Sequence, residues 1–166
     1  QIGRAIYRSL LDTDRVMTDP EVDEYLQDVG RKLAAQANDG AFQFRFFAVN
    51  DPAINAFALP GGYIGVHSGL LLAPANESGL AGVLAHEISH VTQRHISRAI
   101  YANQRASILT MAAMLGAILL GAAAGGGGDA ITGAVATAQG IAVQQQINFT
   151  RSNEYEADRV GVGLLA

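Results

Sequence analysis

Apolar positions Ile2, Ile6, Leu10 and Leu11 recur at helical spacing within residues 1–17. A second helix is announced by Thr18-Asp19-Pro20-Glu21. Thr at the cap with Glu three residues later is a capping box, and proline suits the first turn. Val22, Tyr25, Leu26, Val29 and Leu33 then mark one apolar face as far as Ala37, and Asn38-Asp39-Gly40 ends it. Next the period changes. Phe42, Phe44 and Phe46 alternate with Gln43 and Arg45, which is strand spacing. Asn50-Asp51-Pro52 reads as a turn. A second strand, Ile54 to Leu59, stops at Pro60-Gly61-Gly62, and a third runs from Tyr63 to His67. Two helices followed by a small antiparallel sheet make an α+β opening.

From Glu77 to Arg105 the pattern predicts one continuous helix. Residues 106–150 differ in kind. Asp129 is their only charge, and they hold eight glycines, four of them in the run Gly125 to Gly128. They read as two apolar, small-residue helices with a break between, and a last helix is expected from Arg151. Ile108 to Ala124 carries no charge, and Gly121 to Gly125 is a G-x-x-x-G of the kind that lets helices approach closely in membranes. The stretch sits at the short end for a membrane span and is rich in Ala and Gly rather than Leu. The expectation for 106–148 is therefore a helical hairpin that acts as a lid over a cleft or touches a membrane surface.

Composition narrows the class. The chain has 166 residues, 49% of them hydrophobic and 16% charged, which suits one folded domain over 1–166 rather than a disordered segment. Its net charge of −4 argues against binding nucleic acid by phosphate attraction. With no cysteine there is no disulfide, thiolate metal site or cysteine nucleophile. Lys32 is the only lysine, which disfavours lysine-based chemistry. The first residue is Gln1, and Val160 to Ala166 reads as helix with no stop signal. Both ends are expected to continue in a longer protein.

The chemistry concentrates in His86-Glu87-Ile88-Ser89-His90, an H-E-x-x-H within a helix. Four helical residues place His86 and His90 about 40° and about 6 Å apart, so both imidazoles reach one ion. Glu87 projects beside that pair, where it can address water without ligating. The donor types suit a catalytic Zn²⁺, which requires a third protein ligand and keeps a fourth position for water. Leu80, Val83, Leu84 and Ile88 make the surrounding helix apolar, a costly place for two His and a Glu without a metal. His95 lies about 180° from His86 if the helix continues, so it is read as structural or surface. His67 is read as a strand-end residue. Downstream, Glu154 and Asp158 stand four apart on one helical face, which Gly161 and Leu165 extend for close packing. One of the two carboxylates can ligate zinc while the other accepts the free N–H of a ligating His. Glu156 falls about 200° from Glu154, on the side expected to face solvent.

Asn55-Ala56-Phe57-Ala58-Leu59-Pro60-Gly61-Gly62, then His86 to His90, then Glu154-Tyr155-Glu156-Ala157-Asp158-Arg159 resemble, in order and spacing, the Ste24/HtpX/BepA group of zinc metallopeptidases. The resemblance runs from about Val22 to the end and is closest to the group's soluble, cell-envelope members. It implies a mainly helical, zincin-like α+β fold of the gluzincin type, with a small sheet beside the active-site helix. It implies one zinc per chain on His86, His90 and Glu154, Glu87 as catalytic base, and Asp158 behind a ligand. It implies a strand edge that pairs with extended substrate, expected here at Asn55, Ala56, Phe57, Ala58, Gly62 and Tyr63. The implied activity is endoproteolysis of extended or misfolded proteins in bacterial periplasmic or envelope quality control. The implied partners are protein or peptide substrates, envelope components, and a tetratricopeptide-repeat domain beyond this chain. The rival reading is a chaperone-like interaction module with a latent or structural zinc site.

Overall fold

A computed structural model describes residues 2–37, 42–73, 77–123 and 128–166. Two helices open the chain, α1 (Ile2–Asp12) and α2 (Pro20–Gln36). The cap of α2 is Asp19, not Thr18: its carboxylate accepts from the Glu21 and Val22 amides, and Pro20 occupies the first turn. A carboxylate at this position also faces the positive end of the helix dipole. Three strands follow, β1 (Arg45–Val49), β2 (Ala56–Leu59) and β3 (Tyr63–His67). Strand β1 begins later than the alternation from Phe42 suggests.

The sheet has the order β1-β3-β2. It is mixed rather than wholly antiparallel: β1 pairs parallel with β3, and β2 pairs antiparallel with β3. The Pro60-Gly61-Gly62 turn reverses the chain between β2 and β3, with φ near +90° at both glycines, a region L-residues avoid. That reversal puts β2 on the sheet edge, so β1 is left to pair with the far side of β3.

Alternation sorts the sheet's side chains onto two faces. Phe46, Ala48, Ile64, Val66 and Ala56 share a buried core with Leu26, Val29 and Leu33 of α2. Helix α4 (Glu77–Thr92) closes that core with Leu80, Leu84, Ala85 and Ile88. On the opposite face, Phe47 meets Tyr7 of α1 and Phe57 of β2 in edge-on ring contacts. A short helix, α3 (Ser68–Leu72), joins the sheet to the residues before α4.

The predicted single helix over 77–105 is two. Helix α4 ends at Thr92 and α5 (His95–Ala123) begins three residues later. Between them Arg94 adopts a left-handed backbone, φ 55°, and its amide bonds to the Val91 carbonyl. Helix α6 (Gly128–Leu164) contains the segment expected to start anew at Arg151. Residues 125–127 of the glycine run, the expected break of the hairpin, lie outside the described residues. The chain divides into two compact units, residues 1–96 with 154–166, and residues 97–153. Among the described residues no helix is long and apolar enough to cross a membrane.

Candidate active site

The site belongs to the first unit, where α4 lies on the sheet and the last turns of α6 reach it. Leu84, Ala85 and Ile88 are fully buried, which fixes the rotation of α4. Burying that face turns His86, Glu87 and His90 toward the other side, where each is half-buried. Close approach of α6 depends on Gly161: a Cβ there would stand 3.2–3.3 Å from backbone atoms of Ala85 and His86. Gly161 thus lets the Glu154–Asp158 face come against the histidine pair, and Ala157 between them is fully buried.

Three donor atoms converge. His86 Nε2 and His90 Nε2 are 2.9 Å apart. Glu154 Oε2 stands 3.3 Å from His86 Nε2 and 3.7 Å from His90 Nε2. A tetrahedral ion with bonds of about 2.0–2.1 Å sets its ligand atoms about 3.3 Å from one another. The measured separations bracket that spacing, so two imidazoles and one carboxylate fit a zinc ion in both geometry and donor chemistry. Among the described residues this is the group able to hold a metal. His86 turns its other nitrogen outward, and Nδ1–H donates to Asp158 Oδ1 at 2.8 Å.

Glu87 lies beside the triangle and near the sheet. Burial pushes its carboxyl from 4.5 up to about 7, and the neighbouring Glu154 charge pushes the same way. His86 and a hydrogen bond from the Ala58 amide oppose the rise without cancelling it. His90 is held below the ordinary imidazole range, chiefly by burial, which favours the neutral form a metal ligand must have.

Strand β2 brings Ala58 to Glu87. The His67 amide donates to the Asn55 carbonyl, so residues 55, 57 and 59 turn their backbone groups toward β3. Ala56 and Ala58 therefore turn theirs to the open edge. This narrows the sequence expectation for the edge. Phe57 directs its backbone inward, the Gly62 carbonyl accepts from the Arg45 amide, and Tyr63 belongs to the central strand.

His67 lies at the end of β3, stacked edge-on with Phe57, away from the donor triangle. Two residues were misplaced by sequence reasoning. His95 is not turned away from the site: it is 3% exposed, its Nδ1 lies 2.9 Å from His90 Nδ1, and its Nε2–H donates to Glu156 Oε2 at 3.2 Å. Glu156 correspondingly is half-buried rather than solvent-facing. A continuous helix would have carried His95 around the far side, and the left-handed turn at Arg94 brings it back. Ala58 was expected only at the substrate edge, and the bond of its amide to Glu87 was missed because no side-chain motif reports a backbone group.

Comparison with known proteins gives the family. The family description Peptidase family M48 matches residues 20–166. The chain is similar to a putative beta-barrel assembly-enhancing protease of Vibrio cholerae, 48% identical over 164 residues, covering 99% of this chain and 33% of that protein. The beta-barrel assembly-enhancing protease of Escherichia coli strain K12 is 44% identical over 167 residues, again covering 99% and 33%. A mitochondrial metalloendopeptidase OMA1 of Arabidopsis thaliana is 28% identical over 153 residues, covering 92% of this chain and 28% of that protein. The chain thus spans about a third of the length of these relatives. The resemblance carried by the three motifs is borne out: the match takes in the whole of α4, the edge strand and the Glu154–Asp158 turn, and the chain belongs to peptidase family M48.

Proposed function

We propose that this chain is a zinc-dependent endopeptidase that hydrolyses peptide bonds of extended or misfolded proteins. On this reading one zinc ion is held by His86, His90 and Glu154, and Asp158 holds the ring of His86. The observation that carries the reading is the donor triangle with Glu87 beside it. When bound, zinc would supply a Lewis acid for the scissile carbonyl and lower the pKa of water toward about 7. Glu87 takes the proton from the attacking water and returns it to the leaving amine. Burial raises the carboxyl of Glu87 in the metal-free chain, and the charge of a bound zinc would draw it back down toward the ionised form a base needs. The outward groups of Ala56 and Ala58 offer an extended substrate a strand to pair with. Pairing through backbone selects for extended chains more than for particular side chains.

The setting proposed is the bacterial periplasm or envelope, in protein quality control. Support comes from the names of the bacterial relatives, which join proteolysis to β-barrel assembly. Single-chain bacterial barrels of this kind reside in the outer membrane.

The test is elemental analysis together with turnover of an unfolded reporter protein. About one zinc per chain is expected in the wild type and almost none in His86→Ala. Glu87→Gln should keep its zinc and lose about 10²–10⁴-fold in hydrolysis. No zinc in the wild type, even when supplied, sinks the reading. Capture of the reporter without cleavage in a zinc-loaded wild type would favour the interaction module.

A further inference from the structure

Each ligating histidine needs a hydrogen on the nitrogen it does not offer to the metal. His86 places that hydrogen on Nδ1, against the Asp158 carboxylate. His90 has no carboxylate at its Nδ1. It faces another imidazole, that of His95, across 2.9 Å.

Only one hydrogen fits between two ring nitrogens at that distance. If His95 Nδ1 supplied it, the hydrogen of neutral His90 would sit on Nε2, the nitrogen turned to the donor triangle. His95 Nε2 would then be a bare acceptor 3.2 Å from the Glu156 carboxylate oxygen, another acceptor. The opposite arrangement satisfies the nitrogens turned away from the donor triangle, and leaves the Nε2 lone pairs of His86 and His90 facing each other across 2.9 Å, where a metal ion would take up both. His90 Nδ1–H donates to His95 Nδ1, and His95 Nε2–H donates to Glu156 Oε2. His90 Nε2 is left with a free lone pair. The carboxylate at the end of the chain sets the direction of both hydrogen bonds.

We propose that His95 and Glu156 are positioning residues that fix the tautomer and ring orientation of His90, so that its Nε2 is a ready metal ligand. The inference rests on the metal site of the proposed function and adds two residues to it. The two ligands are then oriented by unlike devices. Asp158 is 68% exposed at its side chain, whereas His95 is 3% exposed and has no water to replace a lost partner. The left-handed turn at Arg94 is the backbone feature that makes the second device available.

The experiment is zinc competition against a chromogenic chelator on the full chain, with the visible spectrum of the cobalt-substituted protein as a second readout. His95→Phe keeps the ring's shape and removes both nitrogens. It is expected to weaken zinc binding about 10- to 100-fold, the range for loss of a histidine's outer partner. The cobalt ligand-field bands should shift as well. His95→Asn restores an acceptor near the Nδ1 position and is expected to recover most of the affinity. Should His95→Phe fail to fold, Glu156→Ala decides, with about a 3- to 10-fold loss expected in a chain whose metal-free melting temperature is unchanged. Wild-type affinity and spectrum in folded His95→Phe or Glu156→Ala overturn the positioning role while leaving the metallopeptidase reading intact. A wild type that binds no zinc overturns both.

Discussion

The two units of this chain solve the burial problem differently. In the first, a three-stranded sheet and two helices enclose Leu26, Phe46, Ile64, Leu84 and Ile88 at zero exposure. In the second, residues 97–153, the apolar side chains whose burial is described are partly or fully exposed. Ile108, Met111 and Leu115 recur at helical spacing on α5, and each is at least 60% exposed. Varied side-chain shapes interlock in one unit, whereas small residues repeat in the other. The donor triangle of His86, His90 and Glu154 sits in the unit with the interlocking core. Rigid support of this kind is what positions ligands.

The largest test of that contrast is Phe46→Ala. Its ring lies at the centre of the core between α2 and the sheet, and removal should cost about 3–5 kcal/mol in chemical denaturation. A loss below about 1 kcal/mol would mean the first unit is not held by this core.

Glu87 gives an intermediate effect, read in metal-free protein. Its carboxyl ionises near pH 7 when folded and near 4.5 when unfolded. Between those values the folded state holds the proton more tightly, so this stabilisation is full below about pH 4.5 and is lost as pH rises through about 7. Glu87→Gln cannot ionise. It should match the wild type at pH 4.5 and exceed it by about 3 kcal/mol at pH 8. Equal stabilities at both pH values would show that the burial around Glu87 carries no such cost.

The smallest effect belongs to the second unit. Met111→Ser on α5 should change stability by no more than about 0.5 kcal/mol, because the side chain is 61% exposed. A cost of 2 kcal/mol or more would show that this face is covered in solution.

The reach of the sequence follows the range of the interactions. His86, Glu87 and His90 were legible because four residues of helix set their geometry without help from the rest of the chain. The same spacing put Glu154 and Asp158 on one helical face, while the choice of Glu154 as the ligand came from the family resemblance. Gly161, read from sequence as a close-packing residue, does meet the backbone of α4. His95 was not legible, because no glycine or proline marks the left-handed turn at Arg94. A continuous helical pattern conceals a two-residue break whose stability comes from tertiary contacts. Sheet direction was illegible too. Alternating phenylalanines report a strand and two faces, but the parallel pairing of β1 with β3 passes over the intervening β2. The cap of α2 moved by one residue because Thr18 and Asp19 both satisfy cap chemistry, and only Asp19 has its oxygen placed to accept from two amides.

The open edge of β2 has one further consequence. Only Ala56 and Ala58 point their backbone groups outward, and the Ala58 amide already serves Glu87. If substrate pairs with β2 as proposed, a polypeptide threading along this edge would find footholds at every second residue and none between. It would advance only in strides of two, each stride presenting the same face of the threaded chain. A long unfolded chain would then be sampled in one parity at a time, and changing parity would require letting go.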